Sequence, residues 1–110
     1  MRLNIFKLPV AMLALVYMSS ASALSLLGPG TPSCGEWVKE RKEGHAYAKE
    51  AWLMGYLSGI AAAHATDYLK GANHESIYLW VDNYCRDNPL DLYHNGVQNL
   101  LSELKKRKGL

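Results

Sequence analysis

The sequence lacks any stretch in which apolar and polar residues alternate between turns, as they do in a half-buried β-strand. Its apolar residues recur at helical spacing instead, in segments separated by glycine, proline and capping residues. This absence excludes a core built on a sheet. We therefore expect an all-α fold: four helices with short connections, stapled by one disulfide.

The residue clusters that metal binding and covalent catalysis require are also missing. No two histidines lie at i and i+4, the spacing of a zinc site on one helix. No Ser/His/Asp or Cys/His signature is recognisable, and no glycine loop follows a strand. We expect no metal, no cofactor and no enzymatic activity. The histidines lie ten or more residues apart, at His45, His64, His74 and His94.

Residues 1–23 have the pattern of a secretory signal peptide. Arg2 and Lys7 accompany an apolar run at residues 8–18, and the small residues up to Ala23 fit the cleavage rule. We expect cleavage after Ala23, which would place the mature protein in the periplasm or outside the cell. An uncleaved membrane anchor is the alternative, but the run is shorter than the ~20 residues that span a bilayer.

Neither sign of charge is in strong excess. The chain has 12 Lys and Arg against 10 Asp and Glu, and two of the bases belong to the leader. Four of the other bases are consecutive, from Lys105 to Lys108, so the body of the domain is acidic. A nucleic-acid-binding protein would show a basic face instead, and we expect no nucleic-acid partner. The basic end fits cations that offset a helix dipole.

Only two cysteines are present, Cys34 and Cys85. An even pair in a small exported domain is typical of one disulfide. The bond would close a loop of about 50 residues and stabilise the domain by roughly 4 kcal/mol on the chain-entropy model. Two reduced, reactive thiols are the alternative, although no Cys-x-x-Cys pair is present.

The mature chain divides into a linker, residues 24–32, and a helical domain, residues 33–108. The linker contains Gly-Pro-Gly-Thr-Pro, which breaks regular structure. Capping signals predict four helices: from Ser33 to about Lys42, from Tyr47 to Leu69, from Asn73 onward, and from Asn88 and Pro89 to about Gly109. In the fourth of these helices, the predicted core stripe is Leu90, Tyr93, Val97, Leu100, Leu101 and Leu104.

A row of small residues runs along the second predicted helix: Ala51, Gly55, Gly59 and Ala63. Residues four apart share one side of a helix, and each glycine inside a helix costs about 1 kcal/mol relative to alanine. We interpret the row as a buried seam for another helix of this chain or of a second subunit. A membrane span is the alternative, but flanking charges leave the apolar run too short.

Three segments stand out together: Cys34-Gly35-x-Trp37, Trp52-x-x-Gly55-Tyr56-x-x-Gly59 and Tyr84-Cys85-x-x-x-Pro89-Leu90. In this combination they resemble the small exported helical proteins of the type VI secretion amidase-immunity (Tai) group, which is similar in turn to the HdeA acid-stress chaperones. The resemblance covers about residues 33–104. It implies a disulfide-tied periplasmic protein, often a homodimer, that binds and blocks a peptidoglycan-cleaving amidase.

The connection between the second and third predicted helices is a candidate surface for such a partner. It is polar and projects from a stapled scaffold, as many binding loops do. In the third helix, Tyr78 is predicted to point away from the apolar stripe, where an exposed tyrosine can anchor a partner. The same connection also fits a plain link between helices. The candidate partner-binding residues are Lys70, Asn73, His74, Glu75 and Tyr78.

Two functions are compatible with this sequence. The first is a binding protein of the immunity or inhibitor type, which occludes an amidase without catalysis of its own. The alternative is a periplasmic chaperone that resembles HdeA and responds to acid. Its ten acidic residues would lose their charge below about pH 4, leaving the protein strongly positive.

Overall fold

The computed structural model describes residues 25–110, so the predicted signal peptide and its cleavage site lie outside the described residues. Residues 25–110 contain no strand beyond an isolated antiparallel bridge between Ser33 and Leu92. The all-α, disulfide-stapled fold is therefore confirmed. Its four helices are α1 (Cys34–Glu43), α2 (Tyr47–Ala63), α3 (His74–Asp87) and α4 (Tyr93–Arg107).

Capping boxes set the starts of α1 and α3, at the residues that the sequence predicts. Ser33 Oγ accepts a hydrogen bond from the N–H of Glu36, and the Glu36 carboxylate accepts one from the N–H of Ser33. In α3, Asn73 Oδ1 accepts from the N–H of Ser76 at 2.8 Å. Helix α1 ends at Gly44, whose φ of 77° lies in the left-handed region that favours glycine.

The predicted disulfide joins Cys34 in α1 to Cys85 in α3, with the Cα atoms 4.7 Å apart. Both side chains are fully buried. The two residues are 51 positions apart, so the bond closes most of the helical domain into one loop. A disulfide fits an oxidising compartment.

The core lies where α1, α3 and α4 meet, and α2 packs on it through long side chains. At its centre the rings of Trp37 and Tyr93 stack with centroids 4.9 Å apart. Trp52, on α2, tilts against Tyr93 at 5.8 Å. Around these rings pack Leu53, Leu57, Tyr68, Ile77, Val81, Val97, Leu100, Leu101 and Leu104.

The row of small residues on α2 does not lie against another helix of this chain, because all four of its members are exposed. A Cβ added at Gly55 or Gly59 would meet no atom within 4 Å. The face that α2 buries contains Lys49, Leu53 and Leu57. Since these long side chains reach the core, the α2 backbone does not have to approach another helix closely. The prediction of a seam against another helix of this chain is wrong.

Helix α2 is also shorter than predicted, ending at Ala63 rather than Leu69. Beyond the cap residue His64, Ala65 adopts a left-handed φ of 48°, and the hydroxyl of Thr66 donates to the His64 carbonyl. The chain then returns Tyr68 to the core, where it is 6% exposed. The turn at Ala65 and Thr66 thus brings the ring of Tyr68 onto the core.

Helix α4 begins at Tyr93, not at Pro89. Asn88 caps the end of α3 instead, because its side-chain amide donates to the carbonyl of Tyr84 at 2.9 Å. Leu90 therefore lies outside the helix and is 97% exposed, so its predicted place in the core stripe is wrong. The other predicted members of that stripe are buried.

Residues 88–92 form a loop beside the disulfide, which we call the stapled loop. The N–H of Gly35 donates to the carbonyl of Pro89 at 3.1 Å, and the N–H of Cys34 donates to that of Asp91 at 2.8 Å. The loop thus satisfies N–H groups in the first turn of α1, which have no partner within their own helix. This requirement overrides the helix-starting tendency of Asn-Pro.

The side chain of Asp91 fixes the stapled loop from the other side. Its carboxylate accepts hydrogen bonds from the hydroxyl of Tyr84, the amide of Asn95 and the N–H of Leu92. These bonds, led by that from Tyr84, hold the pKa of Asp91 below its usual range. The same contact raises the pKa of Tyr84. The loop is therefore held in one conformation by both its main chain and its side chains.

Residues 25–32 form no helix, yet they pack on the domain. Gly30 is buried against the indole of Trp52, where an added Cβ would collide with the ring. Both the N–H and the hydroxyl of Thr31 donate to the carbonyl of Gly28, which closes a turn. This part of the predicted linker covers one edge of α2.

Candidate partner-binding surface

The predicted partner-binding region starts at the connection between α2 and α3, which Tyr68 anchors to the core. The Tyr68 hydroxyl lies 2.9 Å from Nδ1 of His64, and the ammonium group of Lys105 lies 5.7 Å from its ring centroid. A cation over an aromatic face is attracted by the ring quadrupole. The connection is thus attached to both α2 and α4.

Four of the five predicted partner-binding residues lie close together on the surface. Lys70, Asn73, His74 and Glu75 are all exposed, at the end of the connection and in the first turn of α3. The amide oxygen of Asn73 is occupied by the capping bond to Ser76. Lys70, His74 and Glu75 have their charged or polar ends available to a partner.

Tyr78 differs from the other four because it is half-buried rather than exposed. Its ring meets Trp37 edge-on at 6.3 Å, and the guanidinium carbon of Arg41 lies 5.2 Å from its centroid. Burial raises the pKa of its hydroxyl. Tyr78 therefore supports the contact between α1 and α3, and its role toward a partner stays a prediction.

A basic cleft of about 340 Å³ lies beside Lys70 and the start of α3. Its charged lining consists of Lys70, Arg107 and Lys108. The ammonium group of Lys108 donates to the carbonyl of Lys70 at 3.3 Å, which joins the end of α4 to the connection. Glu103 lies 3.2 Å from Arg107 at an exposed site, where such a pair is weak. The cleft therefore presents a net positive surface.

The sequence contains both halves of this cleft but does not indicate that they meet. The run from Lys105 to Lys108 is explained equally well by the helix dipole at the end of α4. Lys70 lies 38 positions before Lys108, and only the antiparallel packing of α3 and α4 brings them together. In the sequence, the only signals for this cleft are the run of bases from Lys105 to Lys108 and, far from it along the chain, the polar connection that contains Lys70.

A second charged cluster ties α1, α2 and α3 together around Arg41. Its guanidinium donates to both carboxylate oxygens of Asp82, at 3.1 and 3.0 Å, and to Glu50 at 3.0 Å. The indole N–H of Trp37 also donates to Asp82 at 2.8 Å. These contacts, led by that to Asp82, raise the pKa of Arg41. Since each charge has a partner, this cluster serves the fold.

Lys49 forms the other ion pair between α1 and α2. Its ammonium group lies 2.7 Å from the carboxylate of Glu40, and its side chain is 9% exposed against 28% for Glu40. A buried ammonium requires such a partner, because its removal from water is costly. Together with the Arg41 cluster, this pair holds the first half of α2 against α1.

Within residues 25–110, no group of three His, Cys, Asp or Glu side chains is placed to hold a metal ion. The same part of the chain contains no helix that is long and apolar enough to cross a membrane.

These features define a small disulfide-stapled helical domain with a basic cleft at one end. No protein-family model, curated protein or solved structure matches the chain. The resemblance to the Tai and HdeA groups therefore remains an expectation from the sequence.

Proposed function

We propose that the protein is a small periplasmic binding protein of the inhibitor type, which occludes the cleft of a peptidoglycan amidase without catalysis of its own. The observation that carries this proposal is the basic cleft at the predicted partner-binding surface. Lys70, on that surface, lines the cleft together with Arg107 and Lys108. The disulfide and the anchored Tyr68 fix this surface before any partner arrives, which lowers the entropic cost of binding.

The charge of the cleft indicates the chemistry of the partner. A positive surface binds best to a negative one, and this complementarity accelerates association more than it raises affinity. We therefore expect acidic side chains around the occluded cleft of the amidase. Binding should weaken as salt is added, because exposed charges are screened over about 10 Å at 0.1 M.

The test is a binding and inhibition assay with the cell-wall amidases encoded in the same genome. The mature protein should bind one of them and slow its hydrolysis of purified peptidoglycan. Lys70→Glu and Lys108→Glu should weaken binding, chiefly by slowing association. Lys39→Glu is a matched control, because Lys39 is exposed on α1 outside the cleft. If no amidase is bound or inhibited, the proposal fails.

A second candidate, the acid-stress chaperone, is favoured by the ion pairs that hold α2. Glu40 neutralises the buried Lys49, and Glu50 and Asp82 neutralise Arg41, which is half-buried. Acid denaturation generally follows when carboxylates that are paired in the native state become protonated. The two cations would then remain without counter-charges, and α2 would separate from α1 and expose apolar core surface.

An aggregation assay tests this second candidate. At about pH 2 to 3, below the pKa of ordinary carboxyl groups, the protein should keep a denatured periplasmic client in solution. It should lose this ability on return to neutral pH. A protein that unfolds in acid yet leaves client aggregation unchanged is not a chaperone of this kind.

A further inference from the structure

The basic cleft has an apolar neighbour with which it shares a wall. This second cleft lies between α3 and α4, and its volume is about 100 Å³. The two clefts together form one surface with an apolar half and a basic half, which we call the joined groove. The residues that line both halves are Ala72, Ser76, Leu104 and Arg107.

The apolar half is built before any ligand arrives. The half-buried ring of Trp80 lines it and stacks on Tyr84, with the ring centroids 5.8 Å apart. The hydroxyl of Tyr84 is in turn hydrogen-bonded to Asp91. A preformed wall of this kind lowers the entropic cost of binding. Buried core side chains complete the lining: Ile77, Leu100 and Leu104.

The volume of the apolar half limits what can enter it. An apolar cavity of roughly 150 Å³ accommodates the six carbons of benzene. In proportion, the apolar half accommodates about four carbons, which is the size of a leucine side chain. The acyl chain of a membrane lipid is several times longer. A single apolar side chain is therefore the group that fits.

The charges of the joined groove favour an acidic ligand. Glu103 lines the apolar half and lies 3.2 Å from Arg107, so it offsets part of the positive charge. Asp67 and Glu75, the acidic residues nearest to Lys70 in the sequence, line neither half. Three cations thus stand against one carboxylate along the groove. These cations are Lys70, Arg107 and Lys108.

From this arrangement we infer that the joined groove binds an acidic segment of a protein partner, with a leucine-sized side chain in the apolar half and neighbouring carboxylates in the basic half. An apolar anchor in a pocket beside a polar rim is a common form of binding hot spot. The inference deepens the proposed function and rests on it for the identity of the partner, the amidase. The chemistry of the segment follows from the groove itself.

Titration with short peptides, followed by amide NMR of the disulfide-bonded protein, tests the inference without an amidase. The probe is the capped peptide Asp-Glu-Leu-Asp-Glu, which should shift the signals of Lys70, Ile77 and the Trp80 indole. The same peptide with serine in place of leucine should bind about tenfold more weakly or worse, because it buries no apolar side chain. Lys-Lys-Leu-Lys-Lys should not bind.

Three results of this titration overturn the inference. The first is the absence of any shift with the acidic leucine peptide at millimolar concentrations. The second is equal binding of the leucine and serine peptides, which would show that the apolar half is not used. The third is equal binding of the acidic and basic leucine peptides, which would show that the charge of the groove is not read.

Ala72→Leu fills the apolar half from within the chain. Ala72 lines both halves and directly precedes Asn73, the N-cap of α3. A larger apolar side chain at this position can pack on Ile77 as a hydrophobic staple, so the Tm should not fall. The Kd of the leucine peptide should rise about tenfold, whereas that of the serine peptide should hardly change.

Ala62→Leu is the matched control, because Ala62 is exposed on α2 and lines neither half. It should leave the Kd of both peptides unchanged. If Ala72→Leu binds the leucine peptide as tightly as the wild type does, or if Ala62→Leu weakens binding as much, the apolar half is not the site.

Neutral substitutions test the basic half. Glu103→Gln removes the carboxylate that offsets Arg107 and should lower the Kd of the acidic leucine peptide roughly two- to fivefold, as expected for a charge at the surface. Arg107→Gln should raise this Kd by a similar factor. If neither variant changes the Kd, or if both change it in the same direction, the charges do not select the ligand.

Octanoate and the amidase separate the remaining outcomes. The chain of octanoate is about twice as long as the apolar half accommodates, so it should bind more weakly than the acidic leucine peptide. Tighter binding of octanoate would make the occupant an acyl chain and overturn the inference. If the peptide binds as stated but no amidase does, the proposed function alone fails. If wild type and Ala72→Leu inhibit an amidase equally, the inference alone fails.

Discussion

The hydroxyl of Tyr93 donates a 2.9 Å hydrogen bond to the main-chain carbonyl of Lys49. This contact joins the first residue of α4 to the first turn of α2 across the centre of the domain. The ring of Tyr93 is fully buried and stacks on Trp37. One side chain thus combines core packing with the positioning of α2, which also contacts the core through the buried side chains of Leu53 and Leu57.

Tyr93→Phe should therefore destabilise the domain without disturbing its core. The ring and its stacking remain, but the hydrogen bond to Lys49 is lost, which costs about 1 kcal/mol. Urea denaturation followed by circular dichroism would measure the change in the free energy of unfolding. Tyr47→Phe is a suitable control, because Tyr47 is 74% exposed. An equal loss in both variants would contradict this account.

The stability of the protein should also fall at alkaline pH. Burial raises the pKa of Tyr93 above the ordinary value of 10.0, and the pKa values of Tyr78 and Tyr84 are raised as well. A group whose pKa is raised by folding stabilises the protein below its unfolded pKa, and this stability is lost as the pH rises further. The free energy of unfolding should therefore decrease above about pH 10, and less steeply in Tyr93→Phe.

The glycines on the exposed face of α2 provide the clearest substitution test. An alanine Cβ meets nothing within 4 Å at Gly55 or Gly59. Each change to alanine should therefore stabilise the domain by about 1 kcal/mol through helix propensity, which raises the Tm by roughly 4 to 8 °C. Leucine at either position should also be tolerated, contrary to what a buried seam would require.

Gly96→Ala provides the contrasting case on α4. There the added Cβ would lie 2.9 Å from Cδ1 of Tyr84 and 3.6 Å from the Cys85 sulfur. The close contact should make this variant less stable than the wild type, in spite of the same gain in helix propensity. Thermal melts of the three alanine variants would decide the matter. Destabilisation by Gly55→Ala would show that this face of α2 is covered.

The comparison of sequence and structure separates local signals from tertiary ones. Ser33 and Asn73 cap their helices as predicted, because a capping bond involves only residues within one turn. Asn88 and Pro89 form an equally good local signal, but the first turn of α1 needs the carbonyls of the stapled loop. Gly35 and Pro89, which this contact joins, lie 54 positions apart along the chain. A capping pattern within one helical turn does not reveal a partner at that distance.

The candidate site was predictable only in part for the same reason. Lys70 and His74 lie on the surface, as a polar connection indicates, whereas the pairing of Lys70 with Lys108 depends on how α3 and α4 pack. The small residues on α2 misled the prediction because spacing identifies a face of a helix but not its burial. The side chains of Leu53 and Leu57 decide that α2 turns its other face inward.

Removal of the disulfide should strongly destabilise the domain. Because Cys34 and Cys85 are 51 positions apart, the chain-entropy model gives a loss of about 4 kcal/mol. The double variant Cys34→Ala/Cys85→Ala suits the test, since both sulfurs are buried and alanine leaves no polar group there. Urea denaturation of the wild type with and without reductant should show a similar loss. Equal stability of the two proteins would contradict this role.

The Lys49–Glu40 pair allows a last prediction about what holds α2 in place. Glu40→Gln leaves the ammonium group of Lys49 largely buried without its counter-charge, which should cost roughly 1 to 3 kcal/mol, less than for a fully buried pair because Glu40 is partly exposed. Lys49→Met in the same protein should restore most of this loss, because an apolar chain of similar length suits the buried position. The main-chain contact of residue 49 with Tyr93 is unaffected. Urea denaturation of the wild type, the two single variants and the double variant gives the coupling energy of the pair. If Glu40→Gln is as destabilising with methionine as with lysine at position 49, the pair contributes nothing through its charge.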